Sequence, residues 1–294
     1  MVKKIWIYDN ESDKSQAVTT QLLIKLSESG LLLPPSSQQM NEKEALAQTR
    51  EHDGKFQIDQ ENPELVISVG GDGTMLSAFH AYEDKAENIR FVGVHTGHLG
   101  FYTDFLADQL DELVEALKKE NPADAVRYPL LRVSIKYNGH KKAVYHALNE
   151  STLRRGSQTM VADIKISDFP FERFRGDGIV VSTPTGSTAY NKSIGGAVMH
   201  PQVEAMQMAE IASLNNRVFR TLGAPMIVAK KDNICLTPEL SNAENFQLTV
   251  DRDTIIIKDL ESVCYELDGR TIAFANCAHT PFWARVKNSF IGEK

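Results

Sequence analysis

The stretch Leu65-Val66-Ile67-Ser68-Val69-Gly70-Gly71-Asp72-Gly73-Thr74 decides how this chain folds. Leu65 to Val69 is an apolar run rich in β-branched residues and reads as a buried strand. The glycines behind it let the backbone turn sharply and bring its amides close to a ligand, phosphate oxygens above all. Thr74 opens a helical pattern, with Met75, Phe79 and Tyr82 on one face and the helix N-terminus facing the loop. Asp72 is the odd member, because a carboxylate repels phosphate. It reads either as a cap for the helix or as an acid that meets a metal or takes a proton from a hydroxyl about to be phosphorylated.

Working outward, the first part alternates strand and helix. Ile5 to Tyr8 is a strand, and Ser12 caps a helix whose Val18, Leu22 and Leu26 share a face before Gly30 stops it. A polar stretch from Pro34 to about Asn62 reads as a loop with a short helix. After the glycine loop, Arg90 to Val94 is another strand, ending in the glycine-punctuated His95-Thr96-Gly97-His98-Leu99-Gly100-Phe101. Leu106, Leu110, Leu113 and Leu117 mark an amphipathic helix that Asn121-Pro122 ends. Ligand-like loops after alternating strands are the pattern of an open parallel sheet. From about Tyr128 the pattern changes. Leu131, Val133, Ile135 and Tyr137 alternate up to the hairpin turn Asn138-Gly139, and Ala143 to Leu148 returns. Val161–Ile166, Ile179–Ser182, Met226–Val228, Phe246–Val250 and Thr254–Ile257 read as further strands, with one helical insertion around Val203 to Leu214. The aromatic, apolar segment Phe282 to Phe290 needs a surface to dock on.

The 294 residues suffice for two domains, each with its own core. A hydrophobic content of 42% with 24% charged residues describes a soluble globular protein, and a formal charge of −7 argues against a nucleic-acid partner. No apolar run is long enough for a signal peptide or a membrane span, so a cytoplasmic protein with no membrane partner is expected. Cys235, Cys264 and Cys277 lack CxxC spacing and read as reduced thiols.

Polar motifs concentrate in the second half. Asn149-Glu150-Ser151 follows a strand, and an adjacent amide and carboxylate suit ribose hydroxyls or an adenine edge, or simply a turn. Arg175-Gly176-Asp177-Gly178 reads as a turn or a ligand contact. The hydroxyl-rich Ser182-Thr183-Pro184-Thr185-Gly186-Ser187-Thr188-Ala189-Tyr190-Asn191-Lys192-Ser193 suits a phosphorylated ligand carrying an aromatic ring. His95 and His98 lack a third nearby metal ligand and read as satisfied loop histidines. Lys141-Lys142 and Arg154-Arg155 are small basic clusters that read as solvated faces, or, for the second, as a phosphate contact. A P-loop, a GxGxxG fingerprint and the HRD and DFG kinase motifs are all missing.

With these motifs in this order, the sequence resembles the NAD kinases, specifically the bacterial ATP-dependent type. The likeness runs through GGDGT at 70–74, HTGHLGFY at 95–102, NES at 149–151, RGDG at 175–178, STPTGSTAYNKS at 182–193, Ala205-Met206-Gln207 and Ser213 to Arg217. GGDG alone is shared with diacylglycerol, sphingosine and phosphofructokinase-like enzymes, so a lipid or sugar kinase is the competing expectation, and a silent dinucleotide sensor a third. The resemblance implies an α/β domain over 1–127 with an open parallel sheet, a β-rich NAD-binding domain over 128–277, and a tail over 278–294 that packs back on the first domain. It implies transfer of the ATP γ-phosphoryl group to the 2′-hydroxyl of the adenosine ribose of NAD, aided by a divalent cation such as Mg²⁺. Asp72 is then the general base, with Gly70, Gly71 and Gly73 against phosphates. Asn149 and Glu150 hold the ribose, and Phe101 and Thr185 wall the adenine. Arg175, Asp177, Thr188, Ala189, Tyr190, Asn191, Lys192, Ser193 and Ala212 fall where the family contacts NAD. A homodimer or homotetramer is implied as well; Arg252 carries no assigned role.

Overall fold

The computed structural model of the chain describes residues 3–32, 56–97, 100–139, 141–156, 158–217, 219–239, 245–277 and 281–292. His98, Leu99 and most of the polar stretch after Pro34 lie outside the described residues. The chain divides into two units, Met1–Arg127 with Ile272–Lys294, and Tyr128–Thr271.

The first unit begins with β1 (Lys3–Asp9) and α1 (Asp13–Glu28). Ser12 Oγ accepts the Ser15 N–H at 3.3 Å, satisfying one of the amides that a helix start leaves open. Val18, Leu22 and Leu26 are buried along one stripe, and Gly30, at φ 69°, takes the left-handed turn that ends the helix. There follow β2 (Phe56–Ile58), β3 (Leu65–Gly70), α2 (Asp72–Ala81), β4 (Arg90–His95), β5 (Phe105–Leu106), α3 (Leu110–Lys119) and β6 (Val126–Pro129). β3 is buried at every position, as a strand covered on both faces must be. Leu110, Leu113 and Leu117 form the buried stripe of α3, whereas Leu106, expected on the same helix, ends β5. There Gln109 Oε1 accepts the Leu106 N–H at 2.9 Å, so the chain is still extended when it reaches Leu106.

The second unit holds β7 (Leu131–Tyr137), β8 (Lys142–Ala147), β9 (Glu150–Arg154), β10 (Met160–Ile166), β11 (Phe169–Gly176) and β12 (Gly178–Ser182), followed by the short helix α4 (Tyr190–Ser193). It continues with β13 (Ala205–Ile211), β14 (Met226–Ala229), β15 (Ile234–Pro238), β16 (Phe246–Val250), β17 (Asp253–Ile257) and β18 (Leu260–Glu266). Among the described residues these make two six-stranded antiparallel sheets, ordered β11-β10-β15-β18-β7-β8 and β14-β13-β12-β9-β16-β17. One apolar core joins them, with Val133, Ile164, Leu236 and Val263 from the first sheet against Leu153, Val181, Met208 and Leu248 from the second.

Two expectations for this unit are corrected. The segment read as a helical insertion around Val203 to Leu214 is the strand β13, paired with β12 and β14. Its Ala, Met, Gln and Glu favour helix, but Ala205 to Ala209 are all buried, and packing between neighbouring strands overrides that preference. The cysteines are not three reduced thiols. Cys235 and Cys264 stand opposite each other on β15 and β18 and form a disulfide, of which Cys277 is not a part. Their 29-residue separation carries no spacing motif; strand register alone makes them neighbours.

The chain then returns to the first unit through β19 (Thr271–Phe274) and α5 (Phe282–Phe290). The first sheet runs β2-β1-β3-β4-β19-β6, with β5 on β4, and β1, β2, β3, β4, β5 and β19 pair in parallel. Both halves of the expected fold are present, an α/β unit on a largely parallel sheet and a β-rich unit, and the tail does pack on the first. Among the described residues no helix is long and apolar enough to cross a membrane.

Candidate active-site residues

In the first unit the glycine loop lies at the carboxyl end of β3, with Gly70 in register with His95 at the end of β4. A β-carbon on Gly70 would sit 2.1 Å from Thr74 Oγ1, so the turn tolerates no side chain there. That hydroxyl accepts the Gly71 N–H at 3.3 Å and closes the turn. Gly71 is the cap of α2, and Asp72 is its first helical residue. Asp72 does not serve as the cap. Its carboxylate reaches a different segment, Oδ2 accepting the Phe101 N–H and Oδ1 the Tyr102 N–H, each at 2.9 Å. Gly100 allows that approach, since a β-carbon there would lie 2.3 Å from Asp72 Oδ1. Two amide bonds occupy about half of the lone-pair positions of a carboxylate. Asp72, Gly71 and Gly73 are half-buried, so the remaining positions are reachable.

The segment holding Asp72 is itself held. Thr103 Oγ1 accepts the Gly100 N–H at 2.9 Å, and the Tyr102 ring stacks on Phe274 of β19 at 5.9 Å and 6°. The Phe101 ring, expected against adenine, packs beside Phe282 and Phe290 of α5, with centroids at 6.4 and 5.6 Å. Arg285 of α5 donates to the Phe101 and Thr103 carbonyls and pairs with Asp104. His95 Nδ1 accepts the Gly97 N–H at 2.7 Å, which puts the ring proton on Nε2. Among the described residues no group of three or more His, Cys, Asp or Glu side chains could hold a metal ion.

In the second unit, Asn149 and Glu150 enter β9 from a turn hung on one carboxylate. Asp251 accepts the N–H groups of Leu148, Asn149 and Glu150 at 2.8, 2.7 and 3.2 Å, itself at φ 52° in the turn between β16 and β17. The hydroxyl-rich segment meets this turn. Thr183 Oγ1 donates to the Leu148 carbonyl at 2.7 Å and accepts the Gly186 N–H at 2.9 Å. A β-carbon on Gly186 would fall 2.0 Å from the Asn149 carbonyl oxygen, which makes glycine obligatory here. Burial pushes the Glu150 carboxyl up to about 8 and the nearby Asp251 charge adds to this, while the Tyr190 backbone amide pulls the other way. Glu150 is therefore protonated at neutral pH. Among the described residues no partner reaches Glu150 Oε2, Ser182 Oγ, Thr185 Oγ1 or either amide atom of the fully buried Asn191. Buried polar atoms left without partners in one region are what a polar ligand would satisfy.

The remaining expected residues divide between two places. Thr188 Oγ1 donates to the Thr185 carbonyl at 3.1 Å and Ser193 Oγ to the Tyr190 carbonyl at 2.7 Å, while the Lys192 N–H closes the turn on Ala189. Arg175, Asp177 and Ala212 gather elsewhere: the Asp177 N–H donates to the Ile211 carbonyl, and Leu214 to that of Arg175. The Arg175 guanidinium lies over Phe219 at 5.0 Å. The two places are opposite ends of one ladder, since β12 pairs Ser182 with Glu150 and Gly178 with Arg154. At about 3.3 Å per residue those ends are roughly 13 Å apart. Arg154 bridges part of the distance, donating to the Tyr190 hydroxyl with its guanidinium 5.6 Å from that ring. Sequence reasoning missed Asp251 and Arg285. The place of Asp251 between two strand patterns is the signal of a turn residue that could have found it; nothing in the sequence points to Arg285.

Residues 14–121 match the model of the ATP-NAD kinase N-terminal domain and residues 148–264 that of the ATP-NAD kinase C-terminal domain. A protein named NAD kinase from Lactococcus lactis subsp. cremoris (strain SK11) is 55% identical over 291 residues, 99% of this chain and 98% of that protein. Another NAD kinase, from Streptococcus pneumoniae (strain 70585), is 52% identical over 240 residues, 81% of this chain and 87% of its own length. The fold is shared with a yeast NADH kinase solved with NADH, at a TM-score of 0.76 and 22% identity over 99% of this chain and 88% of that one. It is shared too with an NAD kinase from Archaeoglobus fulgidus solved with ATP, at a TM-score of 0.68 and 19% identity over 98% of each chain.

Proposed function

This chain belongs to the NAD kinase family, and from that premise we propose that it phosphorylates NAD with Asp72 as general base. The ribose 2′-hydroxyl gives its proton to Asp72 as its oxygen attacks the γ-phosphorus of ATP; the bond to the β,γ-bridging oxygen breaks, and NADP and ADP leave. The observation that carries this is the Asp72 carboxylate, freed from capping its own helix and fixed by two backbone amides with lone pairs to spare. A group so held orients a hydroxyl as well as deprotonating it, and positioning supplies much of the rate of phosphoryl transfer.

The Gly70, Gly71 and Gly73 backbone lies against phosphates. Asn149 and Glu150 hold the ribose. A neutral Glu150 offers both a donor and an acceptor without repelling the pyrophosphate. Thr185, Thr188, Ala189, Tyr190, Asn191, Lys192 and Ser193 contact one half of the dinucleotide, and Arg175, Asp177 and Ala212 the other, as the two ends of the β9–β12 ladder suit a ligand with two separated halves. Phe101 borders the adenine. The described residues offer no protein cage for a divalent cation. A divalent cation bound with ATP would neutralise phosphate charge, and no residue here is assigned to it. Cytoplasmic location and a homodimer or homotetramer rest on the family alone; light scattering on the purified protein tests the assembly.

Purified protein incubated with NAD, ATP and Mg²⁺ is expected to form NADP, and Asp72→Asn to lower kcat by about 10²–10⁴-fold. NADP formation by Asp72→Asn at the parent rate would remove Asp72 from the mechanism. Phosphorylation of a diacylglycerol or a sugar phosphate in place of NAD would overturn the substrate.

A further inference from the structure

Arg285 is 3% exposed, and a buried guanidinium requires compensation for the water it loses. Asp104 supplies a counter-charge, its own side chain equally buried. That pair alone would satisfy the charge. Arg285 also donates to two main-chain carbonyls, those of Phe101 and Thr103, which bracket Tyr102. These belong to the segment whose amides hold Asp72.

The connection is closer than adjacency. The Phe101 carbonyl and the Tyr102 N–H are the two ends of one planar peptide group. Arg285 bonds its oxygen end, and Asp72 Oδ1 accepts from its nitrogen end at 2.9 Å. In a trans peptide these ends point in opposite directions, so the peptide is held taut between a cation and an anion. A charged donor on the carbonyl polarises the group and strengthens its N–H as a donor. The Phe101 N–H, the second bond to Asp72, comes from the neighbouring peptide, whose orientation follows from the same anchor. Phe282 and Phe290 flank the Phe101 ring from the same helix, so α5 grips this residue by side chain and backbone together.

We infer that Arg285 is a positioning residue for phosphoryl transfer, setting the Asp72 carboxylate through the Phe101–Tyr102 peptide. The inference rests on Asp72 being the base. A lysine at 285 keeps the charge against Asp104 but lacks the planar fork needed to reach the carbonyls as well. The paired change Arg285→Met with Asp104→Leu removes both charges and keeps the volume apolar.

The test measures kcat and KM for NAD and ATP in Arg285→Lys and in the paired variant, each also combined with Asp72→Asn, well below the melting temperature of each protein. Both variants are expected to lose about ten-fold or more in kcat with KM changed less than about three-fold, because Arg285 bonds the Phe101 main chain and not its ring, which Phe282 and Phe290 still hold. In the Asp72→Asn background the same changes should alter the residual rate less than about two-fold, since the residue they position is no longer a base. A lowered melting temperature with kcat at the parent value in either folded variant would reduce Arg285 to a structural ion pair. Equal losses with and without Asp72 would equally overturn the inference. Parent activity in Asp72→Asn itself would instead sink the reading of the base, independently of Arg285.

Discussion

Asp72 begins a helix yet turns its carboxylate away from it, and the cause is a glycine elsewhere. Gly100 leaves room for the carboxylate to reach the Phe101 and Tyr102 amides, and a methyl group there would occupy the place of Asp72 Oδ1. Gly100→Ala is therefore expected to cut kcat by about ten-fold or more while adding little to the unfolding midpoint in urea; a rate within two-fold of the parent would show that the carboxylate does not need this seat. Glu150 makes a second prediction at this scale. In the unfolded chain it ionises near 4.5 and in the folded protein at about 8. Between those values the folded protein holds the extra proton, so stability present at pH 4.5 drains away as the pH rises to 8. Glu150→Gln lacks this dependence. The parent should lose on the order of 3 kcal/mol relative to that variant between about pH 5 and pH 8, by denaturant unfolding at each pH; parallel curves would refute the buried, protonated carboxyl. The sequence nominates residues for chemistry, but not their partners. Asp72 looked equally like a cap because the amides that claim it lie 29 and 30 positions away.

Elements were legible where pattern and packing agreed. Ser12, the Val18-Leu22-Leu26 stripe and the Asn138-Gly139 turn each carry a local cause, and each forms as read. β13 did not, because its residues prefer helix and only the strands on either side make it extended. One of its side chains shows what the strand is for. Gln207 is fully buried, and its amide accepts the Ala197 N–H at 2.8 Å and donates to the Ala197 carbonyl at 3.0 Å, holding the segment that follows α4 over the sheet. Gln207→Leu leaves both main-chain groups unsatisfied and should cost about 2–3 kcal/mol, seen as a lower urea midpoint at unchanged slope. A midpoint equal to the parent would mean that water replaces the side chain.

At the scale of the whole molecule, the change from alternating strands and helices to mostly strands near Tyr128 was visible in periodicity alone, and the two units part there. The disulfide was not visible, since the 29-residue separation of Cys235 and Cys264 says nothing about strand register. It closes a loop whose loss of chain entropy on linking is worth about 3–4 kcal/mol in the unfolded state. Alkylation of the unreduced, denatured protein should label Cys277 alone, and all three cysteines after reduction, with a fall in melting temperature on adding reductant. Three labelled thiols before reduction would show the pair open.

The first unit draws β19 and α5 from beyond the whole of the second. A ribosome therefore makes the glycine loop early and its supporting helix late, with some 150 residues of a different unit in between. At about 5–20 residues per second the nascent chain spends on the order of ten seconds or more with Asp72 made and Arg285 not yet made. On the reading proposed above, the site is completed last: a chain stopped anywhere short of Arg285 carries the glycine loop without the side chain that positions Asp72.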